Sequence, residues 1–277
     1  MPVMIIDCHV HLSKFNHEGQ SFAQVRDSLL ASMDRLGIDY AFVYPDSEPG
    51  TLVSDLDTTV ELVAIQPRLP MLGAIHIPND ETELPDARIV ARLDALASTG
   101  DIIGVKFFPG FELFYPDDGR CHVIYELCVR HGIPVVYHSG ETMNETWRER
   151  YNHPHEIAKV AERFPALKIV LAHFSQPHLA ACRDVVLAYP NVHVDISGLA
   201  YPGVIELCGQ AAITGNLEAV VTQQPEKVLF GTDWPICDVE EHLRLVASLP
   251  ISDADKDRIL SGNAMRVFAL GNTLLQR

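Results

Sequence analysis

Eight short runs of apolar residues recur along the chain, and their number and spacing constrain the fold more than any other feature of the sequence. Most of the runs lack alternation between polar and apolar residues and are rich in Val and Ile, which is typical of parallel strands covered on both faces. The polar residues that end the runs, from His11 to Asp233, are on average about 32 residues apart, which suits the strand–helix unit of a barrel. The predicted strands are 3–6, 40–44, 72–77, 102–108, 133–137, 167–172, 192–196 and 227–231.

Segments with helical periodicity separate these runs. In 22–36, apolar residues recur every three or four positions, behind Ser21, a good N-cap, and before Gly37, a good helix terminator. The same pattern recurs in 124–131 and in 157–164. Strands that alternate with helices in this way form right-handed βαβ units.

Eight such units, with no linker-like change in composition, predict one domain over 1–277 that folds as a single (β/α)8 TIM barrel. A doubly wound open sheet is the structural alternative. That fold does not need eight strands, and it usually carries a Gly-rich phosphate turn after its first strand. Here the first run is followed by DCHVH at 7–11 instead.

The composition excludes several classes of protein. The chain has 277 residues, 47% of them hydrophobic and 21% charged, which is enough to form a full core. Its net charge of −16 argues against nucleic acid or an anionic membrane as a partner. No apolar run approaches the roughly 18 residues of a membrane span, and the first basic residue, Lys14, follows the first apolar run, unlike a secretory signal. Six cysteines without a CxxC pair predict free thiols and a cytoplasmic location; a small-molecule substrate is expected, and a homodimer is left open.

The residues that end the runs carry the chemical signal. His9 and His11, His138, His173 and Asp233 end four of the predicted strands, at the end where barrel enzymes bind their substrates. Residues two apart in a strand project to the same side, so the first two histidines can point together into the barrel mouth. A single histidine at a strand end is usually structural. Imidazoles and a carboxylate gathered from four strand ends instead indicate a site for Zn²⁺ or a related divalent ion.

Several motifs, in this order, resemble the amidohydrolase superfamily. The chain is more narrowly similar to the amidohydrolase-related branch that includes aminocarboxymuconate-semialdehyde decarboxylase and several lactone and ester hydrolases. The resemblance covers nearly the whole chain and implies a distorted TIM barrel with one catalytic metal. The motifs are DCHVH (7–11), GVKFFPG (104–110), PVVYHSG (134–140), FPALKIVLAHF (164–174), LFGTDWP (229–235) and the closing ILSGNAMRVFAL (259–270).

The resemblance also implies roles for the residues that match its motifs. His9, His11, His138 and Asp233 would be ligands of one divalent metal, for which Zn²⁺ is expected. His173 would be an acid/base or electrostatic catalyst next to the metal, although the corresponding histidine of binuclear relatives is a ligand.

Other residues have two or more interpretations. Lys106 could be a carboxylated ligand that bridges two metals, a substrate contact or a paired strand-end charge; substrate contact or pairing is favoured, because the branch is mononuclear. Asp195 could orient a ligand histidine or cap the next turn. His76 is interpreted as a core or rim residue rather than a catalytic one, and Cys8 is expected to point away from the metal by strand alternation.

Loop residues complete the predicted pocket. Trp234 is expected to wall it, and Arg148 is a candidate for binding a substrate carboxylate, as are Arg120 and Arg150, although a solvated loop charge is the commoner fate. Aromatic residues after the fourth run either form an apolar rim for a ring-bearing substrate or pack the core of a long loop. They are Phe107, Phe108, Phe111, Phe114 and Tyr115.

The predicted function is hydrolysis of a small ester, lactone or amide. A bound metal lowers the pKa of its water toward about 7 and polarises the substrate carbonyl, while Asp233 moves the proton. The alternative is non-oxidative decarboxylation of an aromatic or unsaturated acid on the same scaffold. That reaction needs a cation to hold the carboxylate, and the second run ends in YPDSEPG (44–50) without an arginine, which disfavours it. A non-catalytic protein stabilised by a metal ranks last, since a chain of this size needs no such staple.

Overall fold

In the computed structural model, which describes residues 4–142 and 145–270, eight parallel strands pair in chain order. Backbone hydrogen bonds from Cys8 N to Phe230 O (2.9 Å) and from Asp233 N to His9 O (2.8 Å) join the end of the sheet to its beginning. The predicted (β/α)8 TIM barrel is therefore confirmed. The strands are β1 (Ile6–Val10), β2 (Tyr40–Val43), β3 (Met71–Ala74), β4 (Ile102–Phe107), β5 (Val135–Tyr137), β6 (Ile169–Leu171), β7 (Val192–Asp195) and β8 (Val228–Leu229).

Helices connect the strands and cover the outside of the barrel. Helix α1 has the predicted bounds: the Ser21 side chain accepts a hydrogen bond from Gln24 N, and Gly37 adopts the left-handed conformation with φ of 70°. The helices are α1 (Phe22–Leu36), α2 (Leu56–Val63), α3 (Ala87–Thr99), α4 (His122–His131), α5 (Pro154–Arg163), α6 (Leu179–Ala188), α7 (Pro202–Cys208), α8 (Gln210–Val221), α9 (Val239–Ser248), α10 (Asp253–Asp257) and α11 (Asn263–Val267).

The first strand lies further along the chain than the prediction placed it. The run 3–6 predicts a strand that ends before the histidines, whereas β1 begins at Ile6 and contains His9; residue 3 lies outside the described residues. The backbone of 7–10 pairs with β2 on one side and with the segment after β8 on the other, so its polar groups are satisfied and the strand continues through polar side chains. The other seven strands lie close to their predicted positions and are each shorter than the run; β3 begins one residue before its run, at Met71.

A β-bulge in β1 decides where its histidines point. Asp7 pairs with Ala41 and Val10 with Val43, so β1 has one residue more than β2 over this stretch. Before the bulge, Cys8 packs in the interior of the barrel; after it, Val10 packs outward against the helices. The strict alternation assumed for the sequence is thus broken, and both His9 and His11 face the mouth of the barrel.

Two buried layers hold the barrel together. The larger lies between strands and helices, and the smaller fills the barrel interior and includes Phe42, Leu72, Val136 and Val170. Phe268, which follows α11, packs edge-on against Phe42 in this smaller layer, with ring centroids 5.0 Å apart. The closing segment is therefore part of the barrel core.

Two further features bear on the sequence-based expectations. All six cysteines are free, as predicted. Among the described residues no single helix is long and apolar enough to cross a membrane. Helices α7 and α8 together have the length and composition of a membrane span, but they meet at a 90° bend.

Candidate metal centre

Three of the predicted metal-binding residues meet at the mouth of the barrel. His11 Nε2 lies 3.5 Å from Asp233 Oδ1, and His9 Nε2 lies 3.9 Å from the same oxygen. Asp233 follows β8 in the left-handed conformation, with φ of 70°, a backbone state that Asp tolerates better than most residues. The donor atoms of these three side chains lie within 4.8 Å of one another.

Hydrogen bonds define which nitrogen each histidine offers. His9 Nδ1 lies 2.9 Å from Asp195 Oδ2, and His11 Nδ1 lies 2.9 Å from the carbonyl oxygen of Tyr44. A carboxylate and a carbonyl only accept, so both Nδ1 atoms carry the proton and both Nε2 atoms keep a lone pair. This is the second-sphere arrangement that metal-bound histidines use.

The donor set fits a divalent metal. His9 Nε2 is buried and has no hydrogen-bond partner among the described residues, a costly state that a coordinated cation would relieve. Two imidazole nitrogens and a carboxylate are ligands that Zn²⁺ and related ions accept. Gly231 is needed for this geometry, because a Cβ there would lie 3.0 Å from His9 Cβ.

His173 lies beside this cluster but is held differently. It follows β6 in the left-handed conformation, with φ of 62°, and its ring centroid is 4.8 Å from that of His9. Its backbone N–H donates to Asp195 Oδ1 at 2.9 Å, and its Nδ1 lies 2.8 Å from Ser197 Oγ. Asp195 therefore contacts both His9 and His173. This agrees with a role in orienting a histidine rather than only capping the turn after β7.

His138 is close to the cluster but does not join it. Its Nε2 donates to the carbonyl oxygen of Glu141 at 2.8 Å, and its ring packs edge-on against His173 (5.1 Å) and Phe111 (4.7 Å). Neither group of candidate metal donors in the described residues includes it; the second group is His9, His173 and Asp195. Its role as a ligand stays a prediction. It requires that Nδ1 binds the metal, or that Nε2 gives up its hydrogen bond to the Glu141 carbonyl.

Lys106 brings an ammonium group to the same interior. Its outward-facing neighbours Val105 and Phe107 pack against the helices, whereas Lys106 is 1% exposed and its Nζ lies 5.1 Å from the ring centroid of Tyr44. Nζ has no hydrogen-bond partner among the described residues. Burial lowers the pKa of Lys106 to about 8, although the charges of Asp195 and Asp233 oppose this shift.

Burial sets the protonation of the other site residues. It lowers the pKa of His11 to about 4 and that of His138 to about 3, and it lowers the pKa values of His9 and His173 well below the usual range. It raises the pKa of Asp233 to about 7, with Lys106 acting in the opposite direction. At neutral pH these histidines are uncharged, so each has one ring nitrogen with a lone pair that a metal can bind. The carboxyl group of Asp233 can hold a proton when no metal is bound.

The three candidate arginines make other contacts. Arg120 is buried, pairs with Asp118 and donates to the carbonyl oxygens of Pro78 and Asp80, so it ties loops together. Arg148 donates to the carbonyl oxygen of Phe111 at 3.1 Å. The guanidinium of Arg150 lies over the ring of Tyr151.

Arg148 therefore holds the loop after β4, and its contact with substrate stays a prediction. Trp234 is buried, and its ring packs against His17 (5.3 Å). His76 is a rim residue whose Nδ1 lies 3.1 Å from Glu112. Of the aromatic residues after β4, Phe107 and Phe114 are buried, whereas Phe111 and Tyr115 are exposed, so a rim for a ring-bearing substrate stays a prediction.

Two residues of the site were not singled out from the sequence. The ring of Tyr44 stacks on that of His9, with centroids 4.2 Å apart and planes 6° apart. Ser197 links His173 to Asp195, and its position two residues after Asp195 is the same-side spacing that drew attention to the first two histidines. That spacing could have identified Ser197 from the sequence. Tyr44 could have been identified because it ends a predicted strand.

Comparisons with known proteins agree with the fold and with the suspected relationship. Residues 6–270 match the model of the amidohydrolase family. The gamma-resorcylate decarboxylase of Polaromonas sp. (strain JS666) is 25% identical over 118 residues, which are 39% of this chain. The match spans only 36% of the length of that decarboxylase.

Solved structures resemble the whole barrel at low sequence identity. An uncharacterised TIM-barrel protein from Bordetella bronchiseptica has a TM-score of 0.75 at 20% identity and covers 99% of this chain and 100% of its own. A dihydroxybenzoic acid decarboxylase from Polaromonas sp. JS666, with bound manganese and the inhibitor 2-nitroresorcinol, has a TM-score of 0.67 at 16% identity and covers 99% of both chains. A probable 2-pyrone-4,6-dicarboxylic acid hydrolase from Acinetobacter baumannii, with citric acid bound, has a TM-score of 0.65 at 15% identity and covers 96% of this chain and 99% of its own. At these identities the likeness shows the fold alone.

Proposed function

Because the chain belongs to the amidohydrolase family, we propose that it is a metal-dependent decarboxylase that releases CO₂ from an aromatic or unsaturated carboxylic acid without oxidation. The observation that carries this proposal is the ammonium of Lys106, buried beside the candidate metal donors without a hydrogen-bond partner among the described residues. The decarboxylases among the similar proteins support it.

Lys106 supplies a cation to a site whose second strand ends without an arginine. Decarboxylation needs a cation that holds the departing carboxylate, and the absence of an arginine after the second strand argued against the reaction. A lysine on β4 can serve instead. A buried ammonium without a partner is destabilising, so pairing with a substrate carboxylate would be favourable.

His9, His11 and Asp233 would hold the metal, with His138 and His173 at the edge of the site. When bound, a divalent ion supplies positive charge that holds and polarises the substrate's carboxylate oxygens. A divalent ion is supported by the manganese of the similar decarboxylase, and Zn²⁺ stays the proposed identity here.

Asp233 is the proposed proton donor. Burial raises the pKa of its carboxyl group to about 7 in metal-free protein, and the group lies at the barrel mouth, 3.5 Å from His11 Nε2. A carboxylate in this position can take up a proton and pass it to the substrate. The proton moves to the substrate carbon that bears the carboxylate and forms the new C–H bond. The C–C bond to the carboxylate then breaks, its electron pair returns to the conjugated system, and CO₂ leaves. Solvent restores the proton to Asp233.

Hydrolysis of an ester, lactone or amide is the second candidate. The position of Asp233 favours it as well, because a carboxylate 3.5 Å from His11 Nε2 can take a proton from an attacking water. The probable hydrolase among the similar structures belongs to the same fold. Both reactions use the same donor set, and Lys106 is the feature that favours decarboxylation.

A paired substrate screen tests the reaction type. Metal-loaded protein is incubated with hydroxybenzoates and muconate-like acids, followed by CO₂ release, and with lactones and esters, followed by acid release. We expect CO₂ release that disappears after chelation and returns with added metal. Metal-dependent acid release without any CO₂ would replace the proposed function with hydrolysis.

A second prediction concerns Lys106. Replacing it with Met should raise the KM for the carboxylate substrate about 10- to 100-fold, since hydrogen bonds to charged groups contribute about 1.5–3 kcal/mol. In the unaltered enzyme, KM should rise as the pH passes through about 8, because the ammonium is charged below its pKa and neutral above it. Steady-state kinetics between pH 6 and pH 10, at full metal loading, measure both effects.

Lys106→Arg is the matched control, because its charge persists across this pH range. Its KM should lack the rise near pH 8. A KM of Lys106→Met equal to that of the unaltered enzyme at pH 7 would remove Lys106 from carboxylate binding.

A further inference from the structure

Ser197 joins His173 to the carboxylate that also orients His9. Its Oγ lies 2.5 Å from Asp195 Oδ1 and 2.8 Å from His173 Nδ1, and all three side chains are buried. We propose that Ser197 is a positioning residue that keeps His173 protonated on Nδ1, so that His173 offers a bare Nε2 to the substrate. The consequence for catalysis rests on the proposed function, whereas the tautomer does not.

The direction of each hydrogen bond follows from the number of protons available. Asp195 Oδ1 already accepts the backbone N–H groups of His173 (2.9 Å) and Ser197 (3.1 Å), so it acts as an acceptor. The serine hydroxyl has one proton, and the shorter contact directs it to Asp195. The contact between Ser197 Oγ and His173 Nδ1 therefore needs its proton from the imidazole.

His9 does not depend on the serine in the same way. Its Nδ1 lies 3.2 Å from Ser197 Oγ but 2.9 Å from Asp195 Oδ2, so the carboxylate holds its tautomer without the hydroxyl. Loss of the hydroxyl should then release His173 and leave His9 unchanged. The two histidines thus provide a comparison within one molecule.

A fixed tautomer divides the work between two groups. A neutral His173 with a lone pair on Nε2 accepts a hydrogen bond or a proton from the substrate, for example from a hydroxyl group, and does not repel its carboxylate. Proton delivery to carbon is then left to Asp233, the proposed proton donor. Without Ser197, the Nε2-protonated form of His173 becomes populated and the substrate loses its acceptor.

The test is ¹⁵N NMR of the histidine imidazoles in metal-free and zinc-loaded protein, with the His173 signals assigned from a His173→Gln spectrum. We expect Nδ1-protonated His173 in the unaltered protein and a mixture of both neutral tautomers in Ser197→Ala, with the His9 signals unchanged. An unchanged His173 tautomer in Ser197→Ala would overturn the proposal. This readout needs no substrate, so it decides the proposal even if the reaction assignment fails.

Kinetics provide the second measurement. Ser197→Ala should keep its metal content and KM within about twofold and lose about 10- to 100-fold in kcat, the usual effect of a residue that orients a catalytic group. Ser197→Thr keeps the hydroxyl that donates to Asp195 and should recover most of the activity. Equal kcat losses in Ser197→Ala and Ser197→Thr would contradict a role of the hydroxyl.

Ser54→Ala is the matched control. Ser54 is fully buried, and among the described residues its Oγ pairs with Thr59 Oγ1 at 2.7 Å and not with a side chain of the metal centre. It removes the same hydroxyl from an equally buried position. We expect the NMR signals of His173 and the kcat to stay at their unaltered values, whereas effects equal to those of Ser197→Ala would mean that both reflect a general disturbance of the fold.

Discussion

Asp233→Asn should lower kcat by about 10³-fold or more. The substitution preserves shape but removes the carboxylate that a metal would bind and, with it, the group that carries the proton to the substrate. The measurements are kcat, KM and the metal content per chain of purified Asp233→Asn. A kcat within tenfold of the unaltered enzyme at full metal occupancy would exclude Asp233 as the proton donor.

Asp238→Asn is the control for this variant. Asp238 lies five residues further along, and its Oδ1 caps α9 by accepting a hydrogen bond from Glu241 N. Asn caps helices about as well as Asp, so this change of one carboxylate to an amide should be nearly neutral. A similar loss of activity in Asp238→Asn would show that Asp233→Asn acts through the loop and not through chemistry.

His173→Ala should reduce kcat by roughly 10²–10⁴-fold while most of the metal stays bound. The structure supports different roles for His173 and His11. Ser197 and Asp195 hold His173 by hydrogen bonds, whereas His11 Nε2 lies 3.5 Å from Asp233 among the candidate metal donors. His11→Ala should instead lose metal first, and activity with it. Metal analysis after dialysis, alongside kcat at saturating metal, distinguishes the two variants.

His242→Ala provides a comparison for the loss of a buried imidazole. His242 is fully buried in α9, and its Nδ1 donates to the carbonyl oxygen of Asp238. We expect its effect to fall on thermal stability, with kcat changed by no more than a few fold. If His173→Ala releases metal as readily as His11→Ala, His173 is a ligand and the division of roles is wrong.

The sequence carries the barrel because local patterns repeat. Eight apolar runs, helical segments between them and a cap such as Ser21 each report on a few neighbouring residues, and their repetition specifies the topology. The polar residues at the ends of the runs could be found for the same reason. Parallel strands of one barrel bring their carboxyl ends to one face, so His9, His11 and Asp233 had to approach one another.

Other features depend on contacts between distant parts of the chain. The bulge in β1 arises where that strand pairs with β2 on one side and with the segment after β8 on the other. His9 faces the mouth as predicted, but Cys8 lies in the barrel interior, against the alternation read from the sequence. The contact of His138 with the Glu141 carbonyl turns one nitrogen of a predicted ligand away from the cluster. Neither departure leaves a mark in the local pattern.

The sequence by itself determined the strand–helix repeat, the barrel and the set of residue types at its mouth, because apolar periodicity and strand-end position are properties of short segments. Only the tertiary structure decided that Lys106 Nζ is buried with no hydrogen-bond partner among the described residues, that Asp195 contacts two histidines, and that Ser197 lies between Asp195 and His173. The reason is that burial and hydrogen-bond direction depend on which groups from other strands occupy the few ångströms around each atom.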